Sequence, residues 1–284
     1  LKKPIFDIDQ IARCMAVYQH NPEIQRVQTH VRKQLVEAWD IQPGSLVLEI
    51  GCGQGDLTAA LAHAVGPNGH VEAFDPAPAD YGAPITVGDS QAFLKRSELG
   101  ERITCHLQTD VLDSGVEFPE NYFDDVVFAH CSWYFESLER IRQTLERVRP
   151  WARRLCFSEW DLFPAEAGQL AHAMAVMIQG QVEAFRKDSS ANIRTPYTRQ
   201  TFVDLAGKAG WAPVRVETVD SSYLQDGGWE INGGCGEAVQ DAQTLGLPEK
   251  FLAQLKAEMD VMKHLAQTQG SWSLNSFILV AEKK

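Results

Sequence analysis

Strands and helices alternate along the first 160 residues, which predicts an α/β fold built on a doubly wound, mainly parallel sheet. Two observations support that reading. The strand-like runs are almost wholly apolar, as strands covered on both faces should be. A glycine-rich turn, Gly51-Cys52-Gly53-Gln54-Gly55, also joins the first strand to a helix, a junction that holds nucleotide-like ligands in open α/β sheets.

Residues 8–39 read as helical, with Ile24, Val27, Val31, Leu35 and Trp39 recurring every three or four positions as one buried stripe. Pro43-Gly44 breaks the chain. Residues 45–51 form the first strand, and Asp56 to Ala64 a helix stopped at Gly66-Pro67-Asn68-Gly69. His70–Asp75 is the second strand, 90–99 a helix and 103–107 the third strand. Tyr122–Ala129 is the fourth strand, 136–148 a helix and Arg154–Trp160 the fifth strand. The alternation then loosens. Helices are expected at 166–186 and 199–209, and strands at 213–219 and 276–282. The pieces at about 162–198 and 221–272 read as insertions at strand ends, where substrate pockets are built.

The bulk numbers bound the function. The chain has 284 residues, 44% hydrophobic and 23% charged, as in an ordinary globule. Its net charge of −12 argues against a nucleic-acid partner, which needs a basic surface. Six cysteines lie scattered without a C-x-x-C pair, so reduced buried thiols are expected, with no disulfide frame and no metal site. No apolar leader opens the sequence, and no run reaches the ~18 apolar residues of a spanning helix. A cytoplasmic protein, monomeric or homodimeric, with no membrane contact is expected.

The glycine turn departs from a dinucleotide site. Its third glycine comes one residue earlier than in G-x-G-x-x-G, and Asp56 takes the first helical position. A carboxylate there repels a pyrophosphate and favours a cationic ligand. Glu49 adds a second negative charge, and Cys52 sits within the turn itself. Asp75, followed by Pro76, ends the second strand, where a carboxylate accepts from both hydroxyls of a ribose. After the third strand, Asp110 is placed to meet an adenine amine with the Val111 amide near a ring nitrogen. The alternative on residues alone is a helix cap or Asx turn.

E-I-G-C-G-Q-G-D, Asp75, Thr109-Asp110-Val111 and FDDVVFAH together resemble the class I S-adenosylmethionine-dependent methyltransferases over roughly residues 40–160. That resemblance implies a seven-stranded sheet with the last strand antiparallel, helices on both faces and helical lid insertions. It implies a domain over 40–284 preceded by a helical cap, 1–39. It implies S-adenosylmethionine as cofactor, held by Glu49, Gly51, Cys52, Gly53, Gly55, Asp75, Pro76, Asp110, Val111 and His130.

Methyl transfer needs alignment, exclusion of water and, for some acceptors, a base. His130, at the end of the fourth strand, is a candidate base or a histidine packed on the cofactor. Glu159, near the end of the fifth, is a candidate base or pocket group. Glu159 and Asp161 alternate along a strand and should not pair. Tyr18, Trp133, Tyr134, Trp160, Met177, Tyr197 and Trp229 are candidate pocket residues, with core packing or surface exposure as the alternative. The expected function is methyl transfer to a small molecule. Its rivals are a non-methylating enzyme on the same fold and a cofactor-binding regulatory subunit.

Overall fold

The computed structural model describes residues 6–189 and 191–284. One sheet holds seven strands: β1 (Leu46–Ile50), β2 (His70–Asp75), β3 (Ile103–Leu107), β4 (Phe123–Ala129), β5 (Ala152–Trp160), β6 (Trp211–Val219) and β7 (Ser276–Lys283). Their order is β3-β2-β1-β4-β5-β7-β6, and only β7 runs against its neighbours. This is the expected doubly wound sheet with an antiparallel last strand.

The inner strands β1, β4, β5 and β7 are largely buried on both faces, and period-2 alternation divides them between two cores. Val47, Val127, Cys156 and Ile278 face one side, where helices α2 (Pro22–Trp39) and α3 (Asp56–Val65) supply Leu35, Trp39 and Leu61. Leu48, Phe128, Phe157 and Phe277 face the other, packed on Ile141 and Leu145 of α5 (Leu138–Val148) and Phe202 of α7 (Arg199–Lys208).

The expected long helix over 8–39 is divided. Helix α1 (Ile8–Arg13) is followed by a 3-10 turn, Ala16–Gln19, and then by α2. Asn21 makes the break by capping α2, its side-chain oxygen 3.2 Å from the Ile24 amide. Pro22 takes the first helical position, where a missing N–H costs nothing. The buried stripe differs as well. Gln25, Gln28 and Thr29 are buried beside Val31, Leu35, Val36 and Trp39, while Ile24 and Val27 are half-buried. Helix α4 (Val87–Lys95) begins ahead of the expected residue 90 because the Thr86 hydroxyl caps it.

Two long pieces leave the alternation. Helix α6 (Leu170–Glu183) follows β5, while α8 (Asp226–Trp229), α9 (Ala238–Thr244) and α10 (Glu249–Gln269) lie between β6 and β7. Trp160 and Val219 both pair with Ser276, so both pieces start from the carboxyl edge of the parallel strands. Ala171, Ala175 and Ile178 of α6 form a third apolar cluster with Ala242, Leu255 and Met262. No helix among the described residues is long and apolar enough to cross a membrane. All six cysteines are free thiols, and five are buried.

Trp39 ties α2 to the sheet. It is fully buried, and its indole N–H donates to the Phe157 carbonyl at 3.2 Å. Trp39→Ala is expected to cost about 3–5 kcal/mol of unfolding free energy, read as a lower urea midpoint at unchanged slope. A loss under about 1 kcal/mol would show that α2 is not anchored there.

Candidate active site

The glycine turn leaves β1 in a left-handed conformation at alternate residues: φ is 74° at Gly51, 48° at Gly53 and 93° at Gly55. The three glycines serve different ends. A Cβ on Gly51 would lie 2.6 Å from the Cys131 Cβ, and one on Gly55 2.8 Å from a Leu94 methyl. A Cβ on Gly53 would meet no atom within 4 Å. The outer two permit close packing, and the middle one faces open space beyond the strand ends.

Asp75, at the end of β2, fixes that middle residue. One carboxylate oxygen accepts from the Gly53 amide at 2.8 Å, and the other accepts from the Ala77 amide at 2.8 Å. Each oxygen keeps a further lone pair for a ligand. Helix α4 braces the turn from behind. The Gln91 amide donates to the Gly53 carbonyl at 2.8 Å, and the Ser90 hydroxyl to that of Gln54 at 2.7 Å. Pro76, next to Asp75, is exposed.

The surroundings are rich in carboxyl groups. Glu49 is buried, and its Oε2 has no hydrogen-bond partner among the described residues. Burial, reinforced by Asp75 and Asp56, pushes its pKa up to about 8. Asp56 starts α3 and accepts from the Gln25 amide of α2 at 2.7 Å. Contact with Cys105, together with burial, keeps the Cys52 thiol protonated.

Helix α2 crosses this edge with a polar stripe. Gln25 holds Asp56, and Gln28 donates to Asp226 of α8 at 3.0 Å. Arg32, one turn further on, has a buried Nη1 with no partner among the described residues. The sequence reading missed all three. Their signal was the 25-28-32 spacing, which places them on one helical face.

The ends of β4 and β5 close the other side. His130 sits at φ 48°, its ring 4.6 Å from that of Trp160, its Nε2 2.8 Å from the Ser276 hydroxyl. Burial, followed by the Arg32 charge, holds its pKa well below 6.5. Glu159 is buried, with Oε2 accepting from the Ser132 amide at 3.0 Å and hydroxyl at 2.6 Å, and Oε1 from the Trp160 amide at 3.1 Å. Burial pushes its pKa up to about 7, against the pull of those donors. Tyr197 completes the cluster through the Ser132 hydroxyl. Trp133 is buried, and its indole nitrogen has no partner among the described residues. Asp161 is engaged separately, with Arg199.

The remaining candidates are less closely gathered. Asp110 accepts from the Leu112 amide at 2.9 Å, in an Asx turn, and from Arg140 of α5 at 2.6 Å. Val111 is buried in the core on the α5 side. Tyr18 accepts from Arg26 at 3.1 Å, and Arg26 also binds Asp9 and Glu23. These contacts place Tyr18 in a charged network with α1 and the start of α2. Tyr134 is 40% exposed, and Met177 and Trp229 are each 50% exposed, so all three have surface free for a ligand.

Comparison with known proteins agrees with this geometry. Residues 48–150 match the model of the "Methyltransferase domain" family, and 14–79 that of protein-L-isoaspartate(D-aspartate) O-methyltransferase. Methyltransferase phomM' of Diaporthe leptostromiformis is 27% identical over 265 residues, 70% of this chain. The match spans 66% of that relative's length. The cyclopropane-fatty-acyl-phospholipid synthase-like protein of Lactobacillus casei is 34% identical, with a TM-score of 0.86 over 97% of this chain and 98% of that one. The YcgJ protein of Bacillus subtilis shares the fold at 12% identity and a TM-score of 0.54, over 90% of this chain and 98% of that one. On this agreement of fold, glycine turn and relatives, the chain belongs to the class I S-adenosylmethionine-dependent methyltransferases.

Proposed function

We propose that the chain transfers the methyl group of S-adenosylmethionine to a small-molecule acceptor held over the ends of β4 and β5. One observation carries the reading. At the carboxyl edge of the sheet and on helix α2 beside it stand an acceptor, an imidazole and a cation, each with a buried atom lacking a partner among the described residues: Glu49 Oε2, His130 Nδ1 and Arg32 Nη1. A ligand with a positive centre and a carboxylate complements such a set.

In this reading the glycine turn passes beside the methionine portion, and Asp75 accepts from the ribose hydroxyls. Asp110 and Val111 lie towards the adenine, Glu49 faces the positive centre, and Arg32 takes the carboxylate. The bound cofactor supplies a methyl group on a positively charged sulfur. The chain's own part is to align the acceptor with that methyl and keep water out. Trp133, Trp160 and Tyr197 wall the acceptor side, and Glu159 holds the Ser132–Trp133 turn in place. The helices within 162–198 and 221–272 serve as a lid, and α1 and α2, within 1–39, as a cap. The net charge of −12 favours a small acceptor over nucleic acid. Incubation with methyl-labelled cofactor and a metabolite extract, followed by mass spectrometry, tests this reading. A methylated product is expected. Binding of S-adenosylhomocysteine with no label transferred to any acceptor would contradict it.

Gly53→Ala separates binding from folding. The new methyl meets nothing, so the cost to the fold is the left-handed backbone alone, about 1–2 kcal/mol. Affinity for S-adenosylhomocysteine is expected to fall at least about tenfold by calorimetry. Unchanged affinity would remove the turn from the site.

Glu49 gives a pH signature. Its pKa of about 8 in the free protein must fall when a cation binds beside it. S-adenosylmethionine binding therefore releases protons below about pH 8, and affinity rises with pH up to that value. Calorimetry near pH 7 in two buffers of different ionisation enthalpy is expected to show the release, and Glu49→Gln to abolish it. Proton-neutral binding by the unsubstituted chain would contradict the assignment.

A further inference from the structure

His130 ends β4 at a site where a base is expected, but its surroundings set its protons differently. Its Nε2 lies 2.8 Å from the Ser276 hydroxyl. That hydroxyl lies 2.9 Å from the Ser221 hydroxyl, which donates to the Leu274 carbonyl at 2.9 Å. Both serines are fully buried. A carbonyl only accepts, so the Ser221 proton belongs to Leu274. The Ser276 proton must then go to the Ser221 oxygen. Ser276 has no proton left, so His130 must donate from Nε2. No other assignment makes all three contacts hydrogen bonds, and in the neutral ring, which burial and the Arg32 charge favour, it leaves Nδ1 as a lone pair. That atom is buried and has no partner among the described residues.

We propose that this two-serine relay fixes His130 as the Nε2–H tautomer, so that its bare Nδ1 positions a ligand N–H or O–H without removing its proton. The proposal rests on the active site described above. The groups facing the imidazole agree with it. Trp160 of β5 covers one ring face and Ser276 of β7 takes the Nε2 proton, neither offering a negative charge. Arg32 of α2 is the charged group that acts on the ring, and it disfavours the imidazolium. His172 of α6 lies beyond Trp160, its Nδ1 accepting from the Leu274 amide at 2.9 Å. Burial keeps His172 neutral, with a pKa of about 3. A proton moved to His130 Nδ1 would therefore create a cation beside a cation. His130 is in this account a positioning residue.

Histidine-labelled protein without ligand tests the relay apart from catalysis. Long-range proton–nitrogen correlation spectra distinguish the tautomers, and His130→Asn assigns the signals. From about pH 5.5 to 8, the expected pattern is a protonated Nε2, a bare Nδ1 and no titration. Ser276→Ala and, separately, Ser221→Ala are expected to give a mixture of tautomers. A protonated Nδ1 or an imidazolium at about pH 6 in the unsubstituted protein would overturn the proposal, as would a single Nε2–H tautomer surviving in both variants. Adding S-adenosylhomocysteine identifies the donor. A shifted Nδ1 signal assigns it to the cofactor, which offers ammonium, ribose and adenine groups, and an unmoved one to the methyl acceptor.

Discussion

The bond from the Gly53 amide to the Asp75 carboxylate is the constraint on which the site depends. It joins the end of β1 to the end of β2 and holds a left-handed glycine with its Cα face open. It fixes the one amide of the turn that lies beneath the open Cα face, while other bonds hold its flanks. The parallel pairing of β1 with β2, Ile50 beside Phe74, brings the two residues together. The packing of α4 through Ser90 and Gln91 keeps them there.

The same edge holds an uncommon amount of buried polar chemistry, arranged by consequence of the fold. Parallel strands end together, so Glu49, Asp75, His130 and Glu159 reach one edge from four strand ends. Burial raises the carboxyl pKa values of Glu49 and Glu159 and lowers that of the His130 imidazole. The groups differ in what they face. Glu159 spends both oxygens on donors from its own chain and acts as a strut. Glu49 and His130 each retain an atom without a partner among the described residues, which is why we propose that they meet the ligand.

The part of this visible in the sequence was the part encoded locally. The glycine spacing, the carboxylate at the end of the second strand and the apolar strands lie within short windows, so fold and turn were legible. The break before Pro22 was also locally marked, by an asparagine cap and a proline at the first helical position, but the periodic stripe outweighed it. Long-range partners were not legible. Gln25 and Gln28 look like a solvated helix face until Asp56 and Asp226 come to meet them. Asp110 carried no sign of Arg140, thirty residues on. The pairing of Ser221 with Ser276 spans 55 residues and arises only when β7 returns beside β5 and β6.

We place the cofactor's seat at the open edge over Gly53, with its carboxylate on α2. A crystal structure of the chain with S-adenosylhomocysteine is the most direct measurement. The account predicts the ribose hydroxyls on Asp75 and the carboxylate on Arg32. A ligand bound away from Gly53, or with its carboxylate in solvent and Arg32 untouched, would contradict it.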